Sequence, residues 1–233
     1  MKITTVGIDI AKSVFHAIGI NAMGSILMKK EVKRMNRMIF VAQIEACRIA
    51  LEACGSAHYW VREFRKHGHD VKFIAPQYVK PFVTGNKNDD NDTTTIAETA
   101  QRPTMRFVPI KNQEQQDIQA VHRLRERGVK ERAALVNQIR GLLAEYGIVI
   151  HQGVRAVRRA IPEILEDGEN GLSGLSRECF AGLYDELTAL DEKIASHEQK
   201  LADIERTHDI CQRLDGIIGI GPITATAAIF PRG

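Results

Sequence analysis

Four acidic residues stand at positions from which their carboxylates could converge: Asp9, Glu52, Asp89 and Asp92. Carboxylates brought together repel one another unless a cation lies between them, and a set of oxygen ligands favours Mg²⁺ or Mn²⁺. A pair of such ions can activate a nucleophile and stabilise the leaving oxygen in phosphodiester cleavage. The alternative is that Asp89 and Asp92 only cap a helix and that Glu52 is a surface residue. Spacing alone leaves both interpretations open.

The segments that carry these acids predict how they could meet. Asp9 lies in the alternating segment Ile3–Ile10 and points away from the face of its apolar residues. Glu52 ends the short apolar run that starts at Arg48. Asp89 and Asp92 are three residues apart at a predicted helix start, which places both on one helix face. His58, shortly after Glu52, is a further candidate to face the metal site.

The order of elements predicts a mixed α/β sheet. Strands over Ile3–Ile10, Val14–Ile20 and Ser25–Val32 form an antiparallel meander, and helices then alternate with two more strands. This order is typical of the RNase H-like sheet, in which the first and fourth strands are neighbours, so that Asp9 and Glu52 can meet. A doubly wound Rossmann sheet fits less well because it begins with β-α-β.

After Pro109 the pattern changes to long helices. Asn112–Tyr146 carries one apolar stripe, formed by Leu135, Ile139, Leu142 and Tyr146. A second helix, from Cys179 to Arg206, carries a heptad seam that only His197 interrupts. The two helices should pack antiparallel or pair with another chain. We therefore predict three regions: a metal-binding domain at 1–110, a coiled-coil and oligomerisation region at 111–206, and the start of a C-terminal domain at 207–233.

Two further features suggest contacts with nucleic acid. The first is a cluster of cations that could contact RNA or DNA phosphates: Arg123, Arg125, Arg127, Lys130 and Arg132. The second is a partial helix-hairpin-helix, in which Gly219 and Gly221 precede a helix start at Pro222 and let the backbone approach a phosphate. The alternatives are a solvated helix face and a plain turn between helices, whose second helix is short enough to fray.

Composition narrows the class of protein. The 233 residues are 44% hydrophobic, with a net charge of +3, so a folded core is expected and a polyanionic partner is permitted but not required. The four cysteines lack the spacing of a zinc knuckle or redox dithiol, which predicts reduced thiols. The N-terminus has no signal-peptide pattern, and no apolar run approaches a membrane span. We therefore expect a cytoplasmic protein with no membrane partner.

Six segments in order resemble the insertion-sequence transposases of the DEDD type, in the IS110 family and its IS1111 subgroup: Gly7–Phe15, Leu51–Trp60, Pro76–Phe82, Lys87–Asp92, Ala100–Pro109 and Gly219–Thr226. The resemblance implies a RuvC-like domain that binds Mg²⁺ (or Mn²⁺) through Asp9, Glu52, Asp89 and Asp92. It also implies DNA as substrate, a structured non-coding bridge RNA as guide, homo-oligomers assembled through the long helices, and a nucleoid-associated protein.

The sequence departs from the family pattern at three places. Asp90 stands where the residue after the third acid is usually Ala, and Thr94 stands where an acid is common. The third departure concerns a serine that attacks DNA in the family, beyond the glycine motif: here no serine follows Ser196, so no nucleophile is assigned. We therefore expect a C-terminally truncated transposase that is inactive alone. The alternatives are a non-catalytic nucleic-acid-binding or regulatory fragment and, less favoured, a phosphotransferase of the actin and sugar-kinase type.

Overall fold

The computed structural model describes residues 1–10, 13–79 and 89–229, and the side chains of all of these except residues 89, 90 and 215. The chain divides into two compact units, Met1–Gln113 and Glu114–Phe230. Each unit has its own apolar core. Within the described ranges, no helix combines the length and the apolar character that crossing a membrane requires.

The first unit is built on a mixed sheet with the strand order β3-β2-β1-β4-β5. Its strands are β1 (Thr5–Ile10), β2 (Val14–Ile20), β3 (Ile26–Lys33), β4 (Arg48–Glu52) and β5 (Asp70–Ile74). The first three form an antiparallel meander, whereas β1 pairs with β4 and β4 pairs with β5 in parallel. This topology confirms the predicted RNase H-like and RuvC-like mixed sheet, with the first and fourth strands as neighbours.

Helices cover the two faces of this sheet. They are α1 (Arg37–Gln43), α2 (Ala57–Lys66), α3 (Pro76–Val79) and α4 (Asp89–Ala100). Helices α1 and α2 pack on the face that carries Val6 and Ile8, and α4 packs on the opposite face over Ala50. The period-two pattern of β1 therefore separates its two faces as the sequence predicts, and Asp9 lies on the α4 side.

The cation of Arg37 is buried in the α1 and α2 core. Its guanidinium carbon lies 3.6 Å from the centroid of the Phe15 ring and 5.1 Å from that of Trp60. A guanidinium over aromatic faces retains an attractive electrostatic partner after it leaves water. Helix α1 begins at this residue, directly after a 3₁₀ turn at Arg34–Asn36.

The second unit is helical. Its helices are α5 (Gln113–Ala144), α6 (Val154–Glu166), α7 (Gly174–Thr207), α8 (Asp209–Asp215) and α9 (Pro222–Ala228). Arg125 pairs with Glu198, and Arg132 pairs with Asp191, so residue numbers rise along α5 as they fall along α7. The antiparallel packing of the two long helices, one of the two arrangements predicted, is therefore intramolecular.

Two details of these helices differ from the sequence prediction. Leu142 and Tyr146 are exposed, and the buried stripe of α5 continues from Ile139 to Leu143 instead. Helix α7 begins at Gly174 rather than at Cys179. The reason for the early start is local, because the Ser173 hydroxyl accepts a hydrogen bond from the Ser176 backbone N–H and so caps the helix.

The heptad seam of α7 is buried within the chain. Leu187, Ile194 and Leu201 are core residues of the second unit, and Ile194 lies against Gly128 of α5. Because this seam is already covered, it is not a free surface for a second copy in this conformation. Assembly through the long helices stays a prediction and needs other faces of them.

His197 occupies this seam, and neither of its ring nitrogens has a hydrogen-bond partner among the residues that the structure describes. Its side chain is buried, with a residue exposure of 9%. Burial lowers the pKa of His197 first, and the nearby cations Lys200, Lys193 and Arg127 lower it further. The imidazole therefore resists protonation in the folded state, and its polar atoms cost stability without making any bond.

We predict that His197→Leu raises the free energy of unfolding of the second unit by about 1 kcal/mol at neutral pH, because it removes buried unpartnered polar atoms. The gain should grow as the pH falls. The folded-state pKa lies below the unfolded value, so the unfolded chain takes up the proton first and wild-type stability falls below about pH 6.5. Urea titrations at about pH 8 and about pH 5.5, on either side of the ordinary histidine pKa, measure both effects. The exposed His151→Leu is the control, and an equal response of the two variants would contradict the prediction.

Candidate functional site

Asp9 and Glu52 lie side by side at the carboxyl ends of two parallel strands. The β1–β4 register pairs Ile8 with Leu51, so Asp9 and Glu52 follow at corresponding positions. Ile8 and Leu51 belong to the core under α1 and α2. Since side chains alternate along a strand, both acids belong to the opposite face, which α4 covers. The predicted meeting of the two acidic positions on one sheet face is therefore seen in the strand register.

Helix α4 lies so close to β1 that a side chain at position 7 would collide with the helix backbone. A Cβ added at Gly7 would lie 2.6 Å from the Thr93 carbonyl oxygen and 2.8 Å from the Ala97 backbone nitrogen. Both atoms belong to the helix backbone, which cannot move aside as a flexible side chain can. Gly7 thus brings the backbone of α4 directly onto the strand that carries Asp9, two residues further along.

The direction of α4 follows from hydrogen bonds at its C-terminal end. The Gln101 side-chain amide donates to the Asn21 carbonyl at 2.8 Å, and the Arg48 guanidinium donates to the Ala100 carbonyl at 3.1 Å. Arg48 begins β4, so the helix ends where β4 begins. Helix α4 therefore runs antiparallel to β1 and β4, and its first turn lies toward their carboxyl ends.

Simple distances then place the first turn of α4 beside the acids. From Gly7 to Asp9 the strand advances by about 6.6 Å. From Thr93 back to Asp89 the helix covers about 6 Å. Since the Thr93 backbone lies against Gly7, the start of α4 at position 89 is level with Asp9. The side chain of Asp89 is outside the described part of the structure.

Asp92 lies over the neighbouring strand. It precedes Ile96 by one helical turn, and Ile96 packs in the same apolar cluster as Ala50 of β4. Glu52 is two residues beyond Ala50 on the same face of that strand. The step from Ile96 back to Asp92 along the helix is about as long as the step from Ala50 to Glu52 along the strand, so position 92 is level with Glu52. The acidic positions at 9, 52, 89 and 92 thus share one edge of the sheet, although among the described side chains no three of the type His, Cys, Asp or Glu converge on a metal-sized site.

His58 is not on this face, and the prediction that it could face the acidic edge is wrong. Its ring packs edge-on against Phe73, with centroids 4.9 Å apart, and Phe73 belongs to the core under α1 and α2. The ring Nδ1 accepts a hydrogen bond from the Lys111 backbone N–H at 3.3 Å. Burial lowers the pKa of His58, with Lys111 and Arg62 contributing. His58 therefore has a structural role on the other side of the sheet.

His16 is a residue of this face that sequence reasoning missed. The antiparallel β1–β2 register places it directly opposite Asp9, and the β2–β3 register places Glu31 opposite His16. The His16 Nδ1 atom lies 3.9 Å from Glu31 Oε1. The only signal in the sequence would have been the length of the turn between β1 and β2, since that turn fixes the register.

The basic residues of α5 divide into two groups. Arg125 and Arg132 hold α5 to α7 through Glu198 at 2.7 Å and Asp191 at 2.8 Å. Among the described residues, Arg127 and Lys130 pair along their own helix, with Glu131 and Glu126, and Arg123 is exposed. Exposed pairs within one helix contribute little stability, so these cations can exchange partners at low cost. Phosphate contact stays a prediction, and it is better placed on this exposed group.

The glycine hairpin lies between α8 and α9. Gly219 has a φ of +91°, a conformation that favours glycine, and Gly221 precedes Pro222 at the first position of α9. The described part of the short second helix has packing partners, because Ala225 is buried in one apolar cluster with Leu201 and Cys211. Phosphate binding by the two glycines stays a prediction.

The chain is similar to transposases over nearly its whole length. A family model described as a transposase, of the DEDD type named for IS110, matches residues 6–148. A probable family 20 transposase from Pseudomonas aeruginosa is 42% identical over 234 residues, which cover 100% of this chain and 69% of that protein. The transposase for insertion sequence element IS1111A from Coxiella burnetii is 42% identical over 223 residues, 96% of this chain and 61% of that protein.

This chain therefore spans only about two thirds of the length of these relatives. Among solved structures, T. thermophilus RuvC in complex with a Holliday junction substrate matches with a TM-score of 0.34 and 12% identity. That match covers 45% of this chain and 98% of the RuvC chain.

We predict that Gly7→Ala lowers the free energy of unfolding of the first unit by about 1–3 kcal/mol, because the new methyl group must push α4 off β1. Urea unfolding followed by circular dichroism measures the change. Gly55→Ala is the matched control, since nothing lies within 4 Å of a Cβ at that position, and it should change stability by less than about 0.5 kcal/mol. Equal stabilities for the two variants would show that the close approach of α4 is not a constraint.

Proposed function

Because the chain belongs to the IS110 family of DEDD transposases, we propose that its Met1–Gln113 unit binds Mg²⁺ or Mn²⁺ and cleaves DNA phosphodiester bonds. The ligands in this proposal are Asp9, Glu52, Asp89 and Asp92. The observation that carries it is the placement of the first turn of α4 level with Asp9 and Glu52 at one edge of the sheet. The substrate and the reaction class rest on family membership.

The donor set fits a hard divalent cation. All four positions offer carboxylate oxygens, and no cysteine or imidazole is among them. Such a set suits Mg²⁺ and Mn²⁺ rather than zinc or copper. A bound ion of this kind would supply an activated nucleophile and neutralise charge on the leaving oxygen of a phosphodiester. The role of the chain is to hold the acidic residues on rigid elements, two on adjacent parallel strands and two on one helical turn.

The N-terminus of α4 adds to this arrangement. The first turn of a helix has unpaired backbone N–H groups and a partial positive charge, and both favour nearby carboxylates. The acids on β1 and β4 are level with this turn, so the helix reduces the repulsion among the carboxylates before any cation binds. We propose that this is why Gly7, which permits the close approach of α4, precedes Asp9 by two residues.

We further propose that a structured RNA guides the reaction and that nucleic acid contacts the exposed cations of α5, Arg123, Arg127 and Lys130. The proposal for RNA rests on the family resemblance. The proposal for the α5 surface is supported by the exposure of these cations and by their weak local pairing. Assembly into oligomers would use surfaces other than the heptad seam.

We predict that Asp9→Ala lowers Mn²⁺ affinity by at least about tenfold, because it removes an oxygen ligand and leaves the cation less well neutralised. Isothermal titration calorimetry of the folded chain measures this directly and does not depend on transposition. Asp70→Ala is the control. This acid lies at the amino end of the parallel strands, at the start of β5, where it pairs with Arg48 and Lys72. The proposal fails if both variants bind Mn²⁺ as the wild type does.

A second prediction concerns the α5 surface. Replacement of Arg123, Arg127 and Lys130 by Ala should weaken binding to duplex DNA and reduce the salt slope of log K by about 0.9 for each phosphate that these cations neutralise. Fluorescence anisotropy at several salt concentrations gives both quantities. A variant with Lys193, Lys200 and Arg206 of α7 replaced by Ala removes the same charge. If the two triple variants bind DNA equally weakly, net charge alone explains the binding and the α5 surface is not specific.

A further inference from the structure

We propose that His16 positions the Asp9 carboxylate for metal binding and that Glu31 in turn orients His16. The proposal rests on the proposed metal site and adds two residues that are not ligands. It concerns a row across four neighbouring strands on the α4 side of the sheet: Glu31 on β3, His16 on β2, Asp9 on β1 and Glu52 on β4.

The register makes these residues lateral neighbours. Asp9 and His16 are directly paired in the antiparallel β1–β2 ladder, and His16 and Glu31 are directly paired between β2 and β3. Side chains of directly paired residues leave the sheet on the same face, with Cβ atoms about 5 Å apart. Neighbouring residues of β2 confirm which face this is, because Ile18 and Ile20 pack with Ala97 of α4.

The ring of His16 is set between the two acids. Its Nδ1 atom faces β3, 3.9 Å from Glu31 Oε1. The opposite edge of an imidazole carries Cδ2 and Nε2, and Asp9 is paired with His16 on the strand at that side, so we infer that this edge is the one available to Asp9. The His16 side chain is only 14% exposed, whereas that of Glu31 is 74% exposed. A largely buried imidazole needs polar partners, and the two paired acids are placed to supply them.

A positioning role fits this geometry better than a role as ligand. His16 is not assigned to the metal itself, because Mg²⁺ and Mn²⁺ prefer oxygen ligands and the four carboxylates already supply them. An N–H donated to one oxygen of Asp9 would fix the rotamer of the carboxylate and leave its second oxygen for a cation. Such outer partners commonly change metal affinity by about 10- to 100-fold when they are removed.

The test compares two replacements of similar size that differ in their ability to donate. His16→Gln keeps a side-chain N–H, and His16→Met has none. We expect His16→Met to weaken Mn²⁺ binding by about tenfold in calorimetric titrations, and His16→Gln to retain affinity within about threefold of the wild type. His67→Ala, which removes an exposed imidazole after α2, should leave affinity unchanged. Circular dichroism establishes that each variant is folded.

The outcomes separate this inference from the metal site on which it depends. If the wild type binds Mn²⁺ and both the Gln and Met variants bind it with the affinity of the wild type, His16 does not position Asp9, and the metal site stands. Equal weakening of both variants would mean that packing rather than hydrogen bonding matters, which also overturns the inference. If the wild type binds no Mn²⁺, both the proposed site and the role of His16 fail. Glu31→Gln should weaken binding less than His16→Met, because it acts only through the imidazole.

Discussion

The close approach of the α4 backbone to Gly7 determines where the acidic first turn of α4 lies relative to Asp9 and Glu52. A helix normally packs on a sheet with a layer of side chains between them, but here the Thr93 carbonyl oxygen lies only 2.6 Å from the position that a Cβ of residue 7 would take. This approach sets the height of α4 above the sheet. The Gln101 and Arg48 hydrogen bonds fix its direction. Once height and direction are set, the acidic first turn can lie only at the carboxyl ends of β1 and β4.

The sequence was sufficient to predict the sheet and its acidic edge. The alternation in β1 and the meander before the first helix depend on local periodicity and turn residues, and these predict pairing between adjacent segments well. The adjacency of Asp9 and Glu52 then follows from topology alone. The closeness of α4 was not predictable in this way, because a glycine before Asp9 is equally compatible with a turn or a bulge. The role of Gly7 depends on which residue packs above it.

Long-range register explains the other differences between sequence and structure. His16 is paired with Asp9 only because of the number of residues that separate β1 from β2, and a shift of one residue would place His16 on the opposite face. His58 follows Glu52 closely in sequence, yet the chain enters α2 between them and places His58 on the other side of the sheet. Proximity in sequence is a poor guide wherever a strand ends and a helix begins.

The same reasoning applies to the cations of the second unit. A cluster of arginines and lysines in sequence suggests a surface for phosphates, but Arg125 and Arg132 are directed toward carboxylates of α7, and Asp191 also receives Arg158 of α6. For such a cation to bind a phosphate, it must abandon a partly buried carboxylate, which then has no counterion. When an exposed cation such as Arg123 binds a phosphate, it gives up only water and counterions. Charge clusters therefore overstate the surface available to nucleic acid until the packing of the helices is known, and the exposed face of α5 is the part of the cluster that keeps its cations available.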